Sequence, residues 1–255
     1  MRVRVLGAHN LETNSTRHTC FLVDDVLAID AGSIASAISR EEQRRVKAIL
    51  LTHHHIDHAR DLPTLGLAAL DDGEPIDVYG LEETLSAVRA HLFDGSVYPD
   101  LSRSLNGEAP RLRLHPIQAG HSATVLDYQV TPIPAKHPVP AVGYVVRSSS
   151  HAIAYTGDTS DGLLPYLRQD PSLATLFVDV TFPNEMEARA ELTGHFTPGT
   201  LGHQLRAALK EGCKLPSIIP VHVSSLYQAT IEDELATLGA ELGIRLAPAR
   251  EGMVL

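Results

Sequence analysis

The chain has no tryptophan, only two cysteines and 5% aromatic residues among its 255, and each scarcity excludes something. Cys20 and Cys213 lie far apart and outside any Cys-x-x-Cys spacing. Neither a disulfide framework nor a thiolate zinc site is indicated, and a reducing cytoplasm is the expected compartment. Lysine is scarce as well, at Lys47, Lys136, Lys210 and Lys214 only, and 21 basic against 31 acidic residues leave a formal charge of −10. That balance argues against a protein whose affinity rests on neutralising many phosphates. No uninterrupted apolar run approaches the roughly 18 residues of a membrane span. The opening MRVRVLG carries charge where a signal peptide needs its apolar stretch. A soluble, cytoplasmic protein without a membrane partner is expected. Hydrophobic residues still make up 44% of the sequence. A chain of this length can bury roughly 70 to 75% of the surface that its unfolded form exposes, so residues 1–255 are expected to form a single domain.

Histidine is what the sequence has in excess: 14 residues, three of them adjacent at His53, His54 and His55. Short apolar segments at 2–6, 20–23 and 26–30, separated by polar or Asp-rich breaks, predict a strand meander ended by Ala31-Gly32. After a short helical stretch rich in Glu and Arg, Ala48 to Leu51 is too short for a helix and predicts a buried strand running straight into the histidines. Further strands are expected at 76–79, 111–117, 125–133, 142–146, 152–155, 176–180 and 218–221. Leu81, Leu85, Val88 and Leu92 recur at helical spacing, as do Ile231, Leu235, Leu238 and Leu242, and Leu201, Leu205 and Leu209 suggest a third helix. Two sets of strands with helices in each half predict facing sheets covered by helices, a four-layer α/β sandwich of αββα type. Residues 94–110 lack periodicity and are long for a connection, which makes them a candidate lid loop.

Residues 53–58 read H-x-H-x-D-H directly after a buried strand. Where a chain leaves a strand in a tight turn, alternate residues can face one point. His53 and His55 can then share one ion while Asp57 and His58 reach a second, and His54 points away. One histidine here would be turn chemistry, but four metal-type side chains at this spacing indicate a metal site. Three other strands are followed by a histidine or an aspartate: His137, Asp158 and His222. Gathered at one end of the sheets, they complete two sets. His53, His55 and His137 would hold the first ion, Asp57, His58 and His222 the second, and Asp158 would bridge them. All donors are nitrogen or oxygen, which suits zinc first, with manganese or iron as alternatives.

These motifs, in this order, resemble the metallo-β-lactamase superfamily of metallohydrolases. Ala59 and Arg60 stand where members acting on thioesters and lactones carry paired glycines, which favours the phosphodiesterase branches. Leu27-Ala28-Ile29-Asp30-Ala31-Gly32-Ser33, His58-Ala59-Arg60-Asp61-Leu62-Pro63, His91-Leu92-Phe93-Asp94 followed by Tyr98-Pro99-Asp100, Phe182-Pro183-Asn184 and Gly194-His195-Phe196-Thr197-Pro198 are similar to segments of the class II cyclic-nucleotide phosphodiesterases. Tyr98 replaces their usual tryptophan. The resemblance implies the metallo-β-lactamase fold and two divalent metal ions. It also implies hydrolysis of a small-molecule cyclic nucleotide, cAMP or cGMP, to the 5′-monophosphate by a hydroxide bridging the ions. Asp57 would ligate and orient that hydroxide.

His195 is not needed as a ligand, and it precedes Thr197-Pro198, a helix start. Phosphodiester cleavage needs a proton donor, and related ribonuclease Z-type enzymes use a histidine in a similar segment, so His195 is the candidate general acid. Asn14 and Thr16 precede a strand and are candidate substrate contacts, although such clusters are commonly turn chemistry. The first rival is a ribonuclease Z-like enzyme processing tRNA 3′ ends. It needs a basic surface for its nucleic acid, and the segment from Glu185 to Glu191, where a basic arm could be inserted, is short and acidic. A lactone or thioester hydrolase is the second. A homodimer is compatible with the sequence.

Overall fold

Strands that are apolar at every position cannot show either face to water. In the computed structural model, which describes residues 1–72, 74–104, 107, 109–170 and 172–255, such segments lie inside a six-stranded sheet. Its strands follow chain order: β1 (Val3–Gly7), β2 (Cys20–Val23), β3 (Leu27–Ile29), β4 (Ala48–Leu50), β5 (Ile76–Gly80) and β6 (Leu112–Pro116). The first three form an antiparallel meander, and β3 to β6 run parallel. The crossovers carry α1 (Ile34–Ala37), α2 (Arg40–Gln43), α3 (Ile56–Ala59), α4 (Leu62–Asp72) and α5 (Glu82–Leu92).

A second six-stranded sheet repeats the plan with β7 (Ala123–Val125), β8 (Tyr128–Pro134), β9 (Val142–Arg147), β10 (Ala152–Tyr155), β11 (Leu173–Asp179) and β12 (Ser217–Val221). Here β7 to β10 are antiparallel and β10 to β12 parallel. The helices of this half are α6 (Leu164–Gln169), α7 (Glu187–Thr193), α8 (Pro198–Lys210) and α9 (Gln228–Leu242).

Alternation along the strands builds the layers. Phe21, Val23, Ile29 and Leu50 face the second sheet, where Val130, Tyr144, Tyr155 and Phe177 meet them. The Phe21 ring lies 4.6 Å from that of Phe177 and 5.0 Å from that of Tyr155. The intervening residues Leu22, Ala28 and Ile49 pack outward on Leu62, Leu65 and Leu85. On the other side Ala154, Leu176 and Val178 pack on Leu201, Leu205 and Ile231. This is the expected αββα sandwich. Removing a fully buried side chain such as Phe21 would cost about 3–5 kcal/mol. Among the described residues, no helix is long and apolar enough to cross a membrane.

Two local expectations are corrected. The single strand expected at 125–133 is a hairpin: the chain reverses at Leu126-Asp127, with Leu126 at φ 52°, a left-handed conformation unusual for a residue with a β-carbon. The apolar run Val125-Leu126 conceals the turn. Helices α1, α3, α4, α6 and α7 have no expected counterpart; α7 buries only Ala190 and therefore carries no apolar stripe. Within the candidate lid at 94–110, Leu101 is fully buried in the outer core of the first sheet beside Gly66. Leu105, Asn106 and Glu108 of that segment lie outside the described residues.

Candidate metal centre

The chemistry-bearing residues stand just past strand ends that open the same way. Thr52, beyond β4, uses its carbonyl to accept from Val142 N at 3.0 Å, which ties this exit to the second sheet. Helix α3 begins at once, so His53 and His55 precede it and Asp57 and His58 lie within it. The Ala31-Gly32 turn rests directly on α3: Ala31 N donates to His58 O at 2.7 Å, and a β-carbon on Gly32 would lie 2.0 Å from Asp57 O. Between β10 and Asp158, Gly157 adopts φ 62°, and a β-carbon there would meet Val142 O at 2.8 Å. His222, past β12, is itself left-handed at φ 61°. Such a conformation costs of order 1–3 kcal/mol and persists only where the surroundings over-determine it.

The donor atoms gather as the spacing suggested. His53, His55 and His137 form one group whose candidate ligand atoms lie within 4.8 Å of one another, and Asp57, His58 and His222 form another. Asp158 joins them, with one carboxylate oxygen 3.7 Å from His53 Nε2 and 3.4 Å from His222 Nε2, and the other 3.4 Å from His58 Nε2. The ring nitrogens face each other, His58 Nε2 to His222 Nε2 at 3.3 Å and His55 Nδ1 to His137 Nε2 at 3.2 Å.

Four of these histidines have their other ring nitrogen held by a protein oxygen. His53 Nδ1 is 3.1 Å from Thr52 Oγ1, and His58 Nδ1 is 2.7 Å from Asp30 Oδ2. His137 Nδ1 is 3.2 Å from Gly194 O, and His222 Nδ1 is 2.8 Å from Thr181 Oγ1. With Nδ1 donating outward, Nε2 is left as an inward lone pair, as metal-ligating histidines require. His53 Nε2 and Asp158 Oδ1 are buried without a hydrogen-bond partner. Convergent lone pairs and orphaned buried acceptors fit a cation, and the N/O set fits two divalent ions.

The two groups differ electrically. Burial pushes His53 well below the ordinary histidine range and lowers His55 and His137. Burial also opposes charge on His58, yet Asp158, Asp30 and Asp57 outweigh it and drive that imidazole well up. His222 is likewise raised against burial, to about 10, chiefly by Asp158 and Asp179. His222 and His58 in turn overcome burial to hold Asp158 well below the usual carboxylate range. Two imidazoliums 3.3 Å apart would repel, so the negative field that raises both is better answered by a shared metal cation.

His195 stands beside the centre, its side chain 11% exposed. Its Nδ1 lies 2.8 Å from Asp179 Oδ2, and its ring stacks on that of His222 at 5.3 Å. Asp158, Asp179, His195 and His222 make a further grouping of donors, but Asp179 is already engaged by His195 and by the Thr181 hydroxyl at 2.6 Å. His54, as expected, stands outside every group. Asn14 and Thr16 are not brought to the centre by any hydrogen bond among the described residues. The Thr16 hydroxyl donates to Leu11 O at 2.9 Å and Asn14 is exposed on the same turn.

Asp30, Thr52, Asp179 and Thr181 received no role from the sequence. Asp179 was hidden because the strand was drawn through Val180, whereas β11 ends on the aspartate itself. Asp30 was legible in principle: β3 pairs parallel to β4, with Ile29 opposite Leu50, so the residue after β3 arrives beside the exit of β4.

Residues 20–223 match the family model of the beta-lactamase superfamily domain. The chain belongs to this superfamily. Its two-sheet sandwich is the metallo-β-lactamase fold. Within the superfamily, 116 residues are 34% identical to ribonuclease Z of Acaryochloris marina, covering 43% of this chain and 32% of that one. The matched part is thus about a third of that relative's length. Among solved structures, yeast PDE1 superposes with TM-score 0.83 at 18% identity, covering 100% of this chain and 98% of that chain. The metallo-beta-lactamase fold protein YhfI from Bacillus subtilis gives 0.79, also at 18% identity, with 100% and 98% covered. At these identities the structures speak for the shared fold.

Proposed function

We propose that the chain is a phosphodiesterase holding two divalent ions, and that its substrate is a 3′,5′-cyclic nucleotide such as cAMP or cGMP. His53, His55 and His137 would hold one ion, Asp57, His58 and His222 the other, with Asp158 shared. The observation that carries the proposal is the place of Asp158, within 3.7 Å of donor nitrogens from both groups. When bound, such ions supply Lewis acidity toward phosphoryl oxygens and acidify water. Asp57, whose Oδ2 is 3.2 Å from His222 Nε2, would orient the attacking water. His195 would donate Nδ1–H to Asp179 and, as an imidazolium, give its Nε2 proton to the departing 3′ oxygen.

The formal charge of −10 supports a small substrate carrying one phosphate over a long polyanion. The likeness to ribonuclease Z favours a second reading, cleavage of an RNA phosphodiester by the same centre. One panel tests both: cAMP, cGMP, a tRNA precursor and a lactone, with metal content measured on the same sample. Cyclic-nucleotide turnover that varies little with salt is expected. Faster cleavage of the tRNA precursor, falling steeply with salt, would establish the second reading instead, and lactone turnover alone would overturn both.

A further inference from the structure

Residues 252–255 run alongside β1: Val3 N donates to Leu255 O at 3.0 Å, Leu255 N to Val3 O at 2.9 Å, Val5 N to Met253 O at 2.9 Å and Gly252 N to Val5 O at 2.8 Å. Glu251, just before this ladder, turns inward with its side chain only 15% exposed. One of its oxygens, Oε1, accepts from His9 Nδ1 at 2.7 Å and from Arg17 N at 2.9 Å. His9 Nδ1 must carry the proton, because a carboxylate can only accept.

That oxygen sits where three stretches of chain cross. His9 N donates to Arg17 O at 3.0 Å, and Ala8 O accepts from Val223 N at 3.2 Å. Val223 is the neighbour of His222. On the other arm Arg17 is followed by His18, whose carbonyl accepts from Ser33 Oγ at 2.5 Å. The His18 β-carbon would be 2.7 Å from a β-carbon on Gly32, the glycine that rests on Asp57 O. One carboxylate oxygen thus links the backbone on both sides of the Asp57, His58 and His222 group. His53, His55 and His137 reach the centre through β4 and β8, and none of them takes part in the hydrogen bonds of this crossing.

We propose that Glu251 is a positioning residue for the second ion alone, an inference that rests on the metal reading above. Losing that link frees residues 8–9, 17–18 and 223 to shift, and with them the separation of Asp57 from His222.

The test is zinc titration of metal-free wild type, Glu251→Ala and Glu251→Gln, repeated in His137→Ala and His222→Ala backgrounds, which each leave one group intact. Glu251→Ala should weaken zinc about tenfold in the His137→Ala background and leave the His222→Ala background unchanged, the low end of what outer partners of metal ligands contribute. Glu251→Gln keeps an oxygen that accepts both hydrogen bonds and should restore the affinity. Should Glu251→Ala not fold, Glu251→Asp, one methylene shorter, should show the same selective loss. Equal affinities throughout, or equal weakening of both groups, would overturn the role of Glu251 and leave the metal reading standing. A wild type that takes up no zinc would overturn the metal reading itself, and this inference with it.

Discussion

The two donor groups share Asp158 and come from neighbouring residues, yet one is an imidazole pocket and the other a carboxylate-rich one. Burial lowers His53, His55 and His137 from the ordinary histidine range. His58 and His222 are driven the other way by Asp158, Asp30, Asp57 and Asp179. Alternation in a six-residue motif sorts side chains between two points, but the charge at each point is set by strands far away in sequence. The groups should therefore fill differently, and the difference can be pressed experimentally.

The largest effect is expected where the comparison collapses. Asp158→Ala removes the one carboxylate common to both groups, so metal analysis should find both ions weakened. Activity should fall by more than the about 10²–10⁴-fold that losing a general acid costs. Loss of one ion only would show that Asp158 serves a single group.

Next comes His195, which stacks on the second group without completing it. His195→Ala should slow cyclic-nucleotide hydrolysis by about 10²–10⁴-fold and a bis-nitrophenyl phosphate ester far less, because nitrophenolate departs without a proton. Metal content should not change. Equal losses on both esters, or a lost ion, would make His195 a ligand or a structural residue.

Asp30→Asn separates the groups more gently. Asp30 holds the outer nitrogen of His58 directly and reaches His53 only through the Thr52 hydroxyl, so the second ion should weaken by about 10–100-fold and the first by less. Competition titration with a chelator would resolve the two.

The smallest effect is one of pH. A proton and a metal ion compete for the same nitrogen. With His222 raised to about 10, the second group must shed protons to bind, and its affinity should rise with pH through neutrality by about tenfold per unit for each proton displaced. The first group, whose histidines are lowered, should bind with little pH dependence above the ordinary histidine range. Calorimetry in buffers of different ionisation enthalpy would detect the released protons, and a pH-independent second ion would contradict the electrostatic contrast.

Much of this was legible before any coordinate. The layered fold follows from strands such as Cys20–Val23, buried at every position, because nothing else covers two apolar faces. The gathering of His137, Asp158 and His222 with residues 53–58 follows from their places after strands. What the sequence withheld were groups that matter through their partners. Thr181 is an ordinary threonine until β11 and β12 lie side by side, with Asp179 opposite Val221, and bring its hydroxyl to His222. The hairpin at Leu126 was hidden for a different reason, since an apolar residue occupies a turn position that composition assigns to glycine or asparagine.

The ladder that residues 252–255 form on β1 also bears on the free edges of the two sheets. A bare strand edge invites another chain to extend the sheet. Here β1 is already paired, while β6, at the far end of the same sheet, carries Arg113, bound to Asp77 at 2.7 and 2.8 Å, and ends in Pro116. In the second sheet β7 is three residues long, and β12 contains Pro220, whose carbonyl is taken by Ala249 N at 2.8 Å. The ladder on β1 thus closes one of the routes by which a two-sheet protein would aggregate.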